Sequence, residues 1–315
     1  MTEPFKIAYI FPGQGSQKVG MGQDLYHSYS LAREIFEEAD DALGRPLSRL
    51  CFEGPDDELT RTDNVQPAIL ITSVACLKAV QETANDHLPS PAFVAGHSLG
   101  EYTALVAADV LSITDAVRLV QHRGRLMHQA GQKKPGGMIA ILGASKEDVE
   151  DLCLHSGCTI ANINCPGQIV ISGSTDNLDK ADKLAKAKRI RQIPLRVSGA
   201  FHSSLMRSAV DEFGEIVSNT TFHQPATPIV ANVTAQPLDN VDEIKEELLN
   251  QLCHCIQWQH SVEYMAQEKV TTFYEIGPGK VLSGLIKRIN PELRTLNISN
   301  TEEISRLKAN YLIAE

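Results

Sequence analysis

Lys6 to Phe11 reads Lys-Ile-Ala-Tyr-Ile-Phe, a nearly unbroken apolar run of strand length. Such a run predicts a strand buried on both faces. Pro12-Gly13-Gln14-Gly15-Ser16-Gln17 follows as a glycine-rich turn. Over 30–43, Leu31, Ile35, Phe36, Ala39 and Leu43 fall at helical spacing. Residues 67–83 predict a buried helix with Pro67 in its first turn, where a missing N–H goes unnoticed. Residues 92–95 form a short apolar strand, 96–100 a sharp turn, and 102–110 a buried helix rich in alanine and valine. A further helix is predicted over 114–129. This alternation of strand, turn and helix favours an α/β core with a parallel sheet.

Gly131 to Gly137 (GQKKPGG) breaks the pattern. A compact series follows: strand 138–142, a helix capped by Ser145 and running to His155, strands 159–164 and 168–172, a polar helix 176–188, and strand 189–195. That order is β-α-β-β-α-β, the ferredoxin-like arrangement. The expected organisation is a discontinuous core, 1–133 and 196–315, with a subdomain at 134–195 inserted in it.

Composition narrows the function classes. Of 315 residues, 43% are hydrophobic and 22% charged, values of an ordinary globular enzyme. A net charge of −10 argues against non-specific binding to nucleic acid or an anionic membrane. No apolar run approaches membrane-spanning length, and residues 1–11 do not read as a signal peptide. The 7 cysteines are irregularly spaced, so free thiols and a cytoplasmic setting are expected. Cys253-His254-Cys255 lacks a second knuckle, so no metal is expected there.

Gly96-His97-Ser98-Leu99-Gly100 matches G-x-S-x-G, entered by a strand and left by a helix. That context suits a strained turn exposing a nucleophilic serine; a βα turn merely capped by serine is the plainer alternative. The serine needs a base. Of ten histidines, His202 sits in a loop after strand 189–195 and follows the serine in chain order. The ring of His97 is expected to point away from Ser98, while His122 and His128 lie on a helix as surface or packing groups. On helix 114–129, Arg123 shares a face with Ala116, Val120 and Met127. A charge facing the core must be paired, either by a core carboxylate or by an anionic substrate gripped through two parallel hydrogen bonds. The turn after the first strand fits neither a dinucleotide fingerprint nor a P-loop. Its backbone N–H groups can instead face a developing oxyanion.

PGQGSQ at 12–17, GHSLGEY at 96–102, QHRG at 121–124, CPGQ at 165–168, FHS at 201–203, QL…IQW at 251–258 and YEIGPGKVLSGL at 274–285 together resemble the acyltransferase family of fatty-acid and polyketide synthesis. The matches keep family order over about 12–290, and the length is similar to that of the stand-alone bacterial malonyl-CoA:acyl-carrier-protein transacylases. The resemblance implies a hydrolase-like core with a ferredoxin-like insert. It implies Ser98 as nucleophile, His202 as base, and Arg123 as the group that binds the malonyl carboxylate. It further implies an oxyanion hole from the N–H groups of Gln14 and Leu99, orientation of His202 by the Gln251 carbonyl, and Phe201 filling the space an α-methyl group would need. Cys165 and Cys255 depart from the usual serine and proline of their motifs.

The implied partners are malonyl-CoA as substrate and acyl carrier protein as acceptor, with no cofactor, nucleic acid or membrane, and a monomeric chain. Because carrier proteins are acidic, basic residues at 186, 188, 189 and 191, or Lys287 and Arg288, are candidates for docking. The rival readings are an acyltransferase serving a polyketide pathway in trans, a serine thioesterase, and a silent carrier-binding protein.

Overall fold

The computed structural model describes residues 6–84 and 88–312. The ends of the expected core, 1–5 and 313–315, lie outside the described residues. Ten strands are present among them: β1 (Lys6–Phe11), β2 (Phe93–Gly96), β3 (Gly136–Leu142), β4 (Thr159–Cys165), β5 (Gln168–Ser174), β6 (Arg191–Pro194), β7 (Ile229–Val230), β8 (Pro237–Leu238), β9 (Val270–Ile276) and β10 (Arg294–Ile298). One sheet has the order β10-β9-β1-β2-β7-β8 and is parallel except for the β7–β8 pair. β1 is buried on both faces after Lys6, which is why its sequence does not alternate. Helices Ser30–Leu43, Thr62–Ala84 and Ile113–Lys133 pack on one another beside this sheet.

The second sheet is antiparallel, in the order β4-β5-β3-β6. Helices Lys146–Ser156 and Thr175–Ala187 cover one of its faces. Ser145 and Ser174 cap them by accepting from the N–H groups of Asp148 and Asn177. With its strand order this is the ferredoxin-like arrangement. Period-two alternation divides β3: Ile139 and Ile141 join the core under those helices, while Met138 and Ala140 face the larger core. The β4 edge is tied to the rest of the chain through Ile256, which donates to Ala161 O and accepts from Ile163 N.

Three sequence expectations change. The buried helix begins at Thr62, so Pro67 lies inside it and not in the first turn. The Asp63 carbonyl, which Pro67 cannot engage, accepts instead from Gln121 Nε2 at 3.2 Å. The helix expected over 114–129 runs to Lys133, through the start of the predicted break. Gly131 serves close packing there, since a Cβ on it would lie 2.3 Å from the Ser198 carbonyl oxygen. The helix after the serine turn begins at Gly100, not Tyr102, and brings Glu101 into its first turn.

β1 and β2 pair with Phe11 beside Gly96, so the turn after β1 lies against the helix Gly100–Ala107. A Cβ on Gly100 would stand 2.1 Å from the Phe11 carbonyl oxygen. Gly100→Ala is therefore expected to destabilise the fold by about 3 kcal/mol. The urea-unfolding midpoint measures this, and an unchanged midpoint would mean that the two segments separate freely.

Candidate active site

Ser98 occupies the turn between β2 and the helix Gly100–Ala107 with a φ of 51°. A left-handed serine costs on the order of 1–2 kcal/mol and needs outside support. Two side-chain amides supply it. Ser98 N donates to Asn232 Oδ1 at 2.7 Å, and Gln251 Nε2 donates to Ser98 O at 3.0 Å. Ser98 Oγ lies 2.9 Å from His202 Nε2, and His202 Nδ1 lies 2.7 Å from the Gln251 carbonyl oxygen. A carbonyl only accepts, so Nδ1 carries the proton and Nε2 is left to accept from the hydroxyl. Burial, and then the Arg123 cation, push the His202 pKa down to about 3. The imidazole is thus a neutral base throughout the ordinary pH range.

Arg123 comes from the helix Ile113–Lys133 and is 1% exposed. Its Nη1 donates to Gln66 Oε1 at 2.7 Å, and its Nη2 donates to Gln251 Oε1 at 2.7 Å and to Ser98 Oγ at 3.2 Å. The guanidinium lies over the Tyr102 ring, 5.3 Å from its centroid. Its hydrogen-bond partners are neutral oxygens, and among the described residues it forms no salt bridge. The pairing with a core carboxylate left open by the sequence is not what the structure contains. Burial pushes its pKa down, and Nε lacks a protein partner among the described residues. A buried cation bonded to neutral oxygens keeps its charge available to an anion.

The cavity over these groups has a volume of about 240 Å³. Gln14 and Leu99 line it beside Ser98, with Leu99 at the start of the helix Gly100–Ala107, where backbone N–H groups concentrate positive potential. Phe201 forms part of the wall and is 4% exposed. Met138, Ala140 and Val170 line it from the antiparallel sheet, while Val281 and Leu285 come from the helix Val281–Ile289. The ring of His97 turns to Asn164, with Nε2 2.9 Å from Oδ1.

Of the basic candidates, Lys186 pairs with Asp182 and Lys188 with Asp151. Lys287 Nζ donates to Leu293 O. Arg288 Nη1 donates to Gln168 Oε1 at 2.6 Å, which places it beside a residue of the cavity lining. In the Cys253–Cys255 segment, His254 Nδ1 meets the Asn250 carbonyl and Cys255 Sγ contacts Ile256 O.

Sequence reasoning missed Gln66, Asn232, Glu101 and the side chain of Gln251. Glu101 Oε1 accepts from Asn232 N and Nδ2, both at 2.9 Å, and Oε2 accepts from Gln251 Nε2. Glu247 is buried nearby and accepts from Val233 N at 2.8 Å. Burial pushes both carboxyls up, and each opposes ionisation of the other. Glu101 meets only N–H donors, and these bonds oppose the rise that burial imposes on it.

The Acyl transferase domain family matches residues 8–310. The chain is 46% identical over 305 residues to the malonyl CoA-acyl carrier protein transacylase of Bacillus subtilis, covering 95% of each chain. Its fold is similar to that of the acyl-carrier-protein-S-malonyltransferase of Bartonella henselae, with a TM-score of 0.92 and 39% identity over 98% of this chain and 99% of that one. A malonyl-transacylase solved with a type II polyketide synthase acyl-carrier protein matches with a TM-score of 0.91 and 36% identity, over 97% of this chain and 99% of that one.

Two pH dependences follow from the buried groups. With His202 neutral down to about pH 3, phosphonylation of Ser98 by a fluorophosphonate stays level from pH 8 to pH 5. A break near the ordinary histidine value would contradict this. Glu247 has its folded pKa raised from 4.5 to about 7, so stability falls as pH rises through that window and levels off above it. In Glu247→Gln this loss is absent. Its melting-temperature advantage over wild type grows between those pH values and then stays constant, and a flat difference would exclude the raised carboxyl.

Proposed function

The chain belongs to the Acyl transferase domain family, and from that premise we propose that it transfers the malonyl group of malonyl-CoA to the phosphopantetheine thiol of an acyl carrier protein, supplying fatty-acid synthesis. The observation that carries this reading is the buried Arg123 guanidinium, without a salt-bridge partner among the described residues and 3.2 Å from a serine hydroxyl that is itself bonded to a neutral imidazole. A hydrolase of neutral esters has no use for that cation. A malonyl thioester carries the carboxylate that meets it.

In this reading the malonyl carboxylate binds Arg123 and sets the thioester carbonyl over Ser98. His202 Nε2 takes the hydroxyl proton as Oγ attacks the carbonyl carbon. The oxyanion forms against the N–H groups of Gln14 and Leu99, and one such donor is worth about 3–4 kcal/mol. The C–S bond breaks, the thiol of coenzyme A departs with the proton from His202, and malonyl-Ser98 remains. The carrier thiol then enters, gives its proton to His202 and attacks the ester carbonyl; the C–Oγ bond breaks, Ser98 Oγ takes the proton back from His202, and the malonyl thioester leaves, in a ping-pong cycle that uses one site twice. Nucleophile, base and cation all come from the chain, so the steps call on no cofactor. Phe201, in the wall of the cavity, takes the space that an α-methyl substituent would need.

The same reading divides the chain into a core, 1–133 and 196–315, and an inserted subdomain, 134–195, with the cavity between their sheets. Among the described residues no helix is long and apolar enough to cross a membrane. Free cysteines fit a reducing cytoplasm, and a monomer supplies every group used above.

Intact-protein mass after brief mixing with malonyl-CoA or acetyl-CoA tests the proposal. Wild type gains a malonyl adduct, Ser98→Ala gains none, and Arg123→Ala loses preference for malonyl over acetyl. Free malonate accumulating without an adduct would point to a hydrolase, and an intact thioester without an adduct to a silent binding protein.

A further inference from the structure

Glu101 is 1% exposed, sits in the first turn of the helix that follows Ser98, and is not among the residues that line the cavity. An acid in a first helical turn is favoured by the helix dipole even when its oxygens face water. Here the oxygens face inward instead, onto the two amides that hold the site together.

The amide hydrogens can be accounted for one by one. Gln251 Nε2 has two, given to Ser98 O and Glu101 Oε2. Its oxygen is thereby turned to Arg123 Nη2. Asn232 Nδ2 also has two, given to Gly96 O and Glu101 Oε1. Its oxygen is thereby turned to Ser98 N. A carboxylate only accepts, so Glu101 holds both amides in the sense that the Gly96 and Ser98 carbonyls also favour.

We propose that Glu101 is a positioning residue for acyl transfer, fixing the Gln251 amide so that its oxygen holds the Arg123 guanidinium, and the Asn232 amide so that its oxygen holds the Ser98 backbone. The inference rests on the malonyl-transfer reading above. It requires an acceptor-only carboxylate at position 101. A neutral amide there offers one oxygen to three N–H donors of Asn232 and Gln251. Either the Gln251 N–H loses its partner, or the amide flips and sets its NH₂ against Arg123.

The test measures kcat and KM for malonyl-CoA and acetyl-CoA, with carrier protein as acceptor, in wild type, Glu101→Gln and Glu101→Asp, with cooperative melting checked for each. Glu101→Gln is expected to raise the malonyl-CoA KM about tenfold, the effect of one unsatisfied buried partner. The acetyl-CoA reaction should change far less, so malonyl preference falls. Glu101→Asp keeps the acceptor chemistry and is expected to hold the preference within about twofold. A folded Glu101→Gln with the wild-type preference, or with equal loss on both substrates, overturns the inference and leaves a structural tie. If Glu101→Gln fails to melt cooperatively, Glu101→Asp decides: retained preference supports the inference, and preference as low as in Arg123→Ala overturns it. Wild type without malonyl transfer would instead remove the acyl-transfer reading, and this inference with it.

Discussion

One buried positive charge, with no salt bridge among the described residues, sets the terms for the rest of this site. Arg123 lies under Ser98 with amide oxygens where a carboxylate would ordinarily stand. Its field reaches the base as well as the substrate. Burial keeps His202 neutral, and the cation reinforces this. On the proposed reading the chain keeps an uncharged base and a charged anion receptor within one hydrogen-bonded cluster. Each makes the other's charge state easier to maintain: a protonated His202 would face a second cation, and a neutral one does not.

Such an arrangement persists only if the backbone around it does not relax. Both residues proposed to react are left-handed, Ser98 at φ 51° and His202 at φ 56°. Neither conformation is comfortable for a residue with a side chain. Ser98 is clamped through its N–H by Asn232 and through its carbonyl by Gln251. Gln251 also offers its own carbonyl to His202. One residue thus joins serine, histidine and arginine through three different atoms, which is why strain at the elbow and alignment of the base cannot be separated. The loss of proline at position 255 leaves that carbonyl in place, because Ile256 and Gln257 anchor the following segment to Ala161 and Asn232.

The sequence carried the elements whose signal is local. β1, the helix Ser30–Leu43 and the βαββαβ series follow from apolar spacing and from serine caps, all visible within a short window. The elbow was legible because its glycines, nucleophile and flanking elements are contiguous. Arg123 stood out as a charge on an apolar face, although what paired it did not. The partners lie far along the chain: Gln66 is 57 positions away, Gln251 is 128, and Asn232 is 134 from Ser98. No periodicity points to a glutamine whose meaning is an amide aimed across the fold. Gly131 misled for a related reason, because a glycine kept for contact with the Ser198 carbonyl reads locally as a break. Pro67 misled because the Asp63 carbonyl that it orphans is satisfied by Gln121, from another helix.

The electrostatic design explains why amides stand between Glu101 and Arg123. A carboxylate directly on the guanidinium would hold it in place, but it would also neutralise it and occupy the face that a substrate carboxylate needs. An interposed amide separates the two tasks. Gln251 presents an oxygen dipole strong enough to fix the guanidinium and too weak to cancel its charge. The carboxylate behind it supports the sense of that dipole by accepting from Gln251 Nε2. The order along the chain of contacts is carboxyl, dipole, cation and then, on the proposed reading, the substrate carboxylate. Shortening it by one member would leave the arginine equally buried and remove its reason to bind.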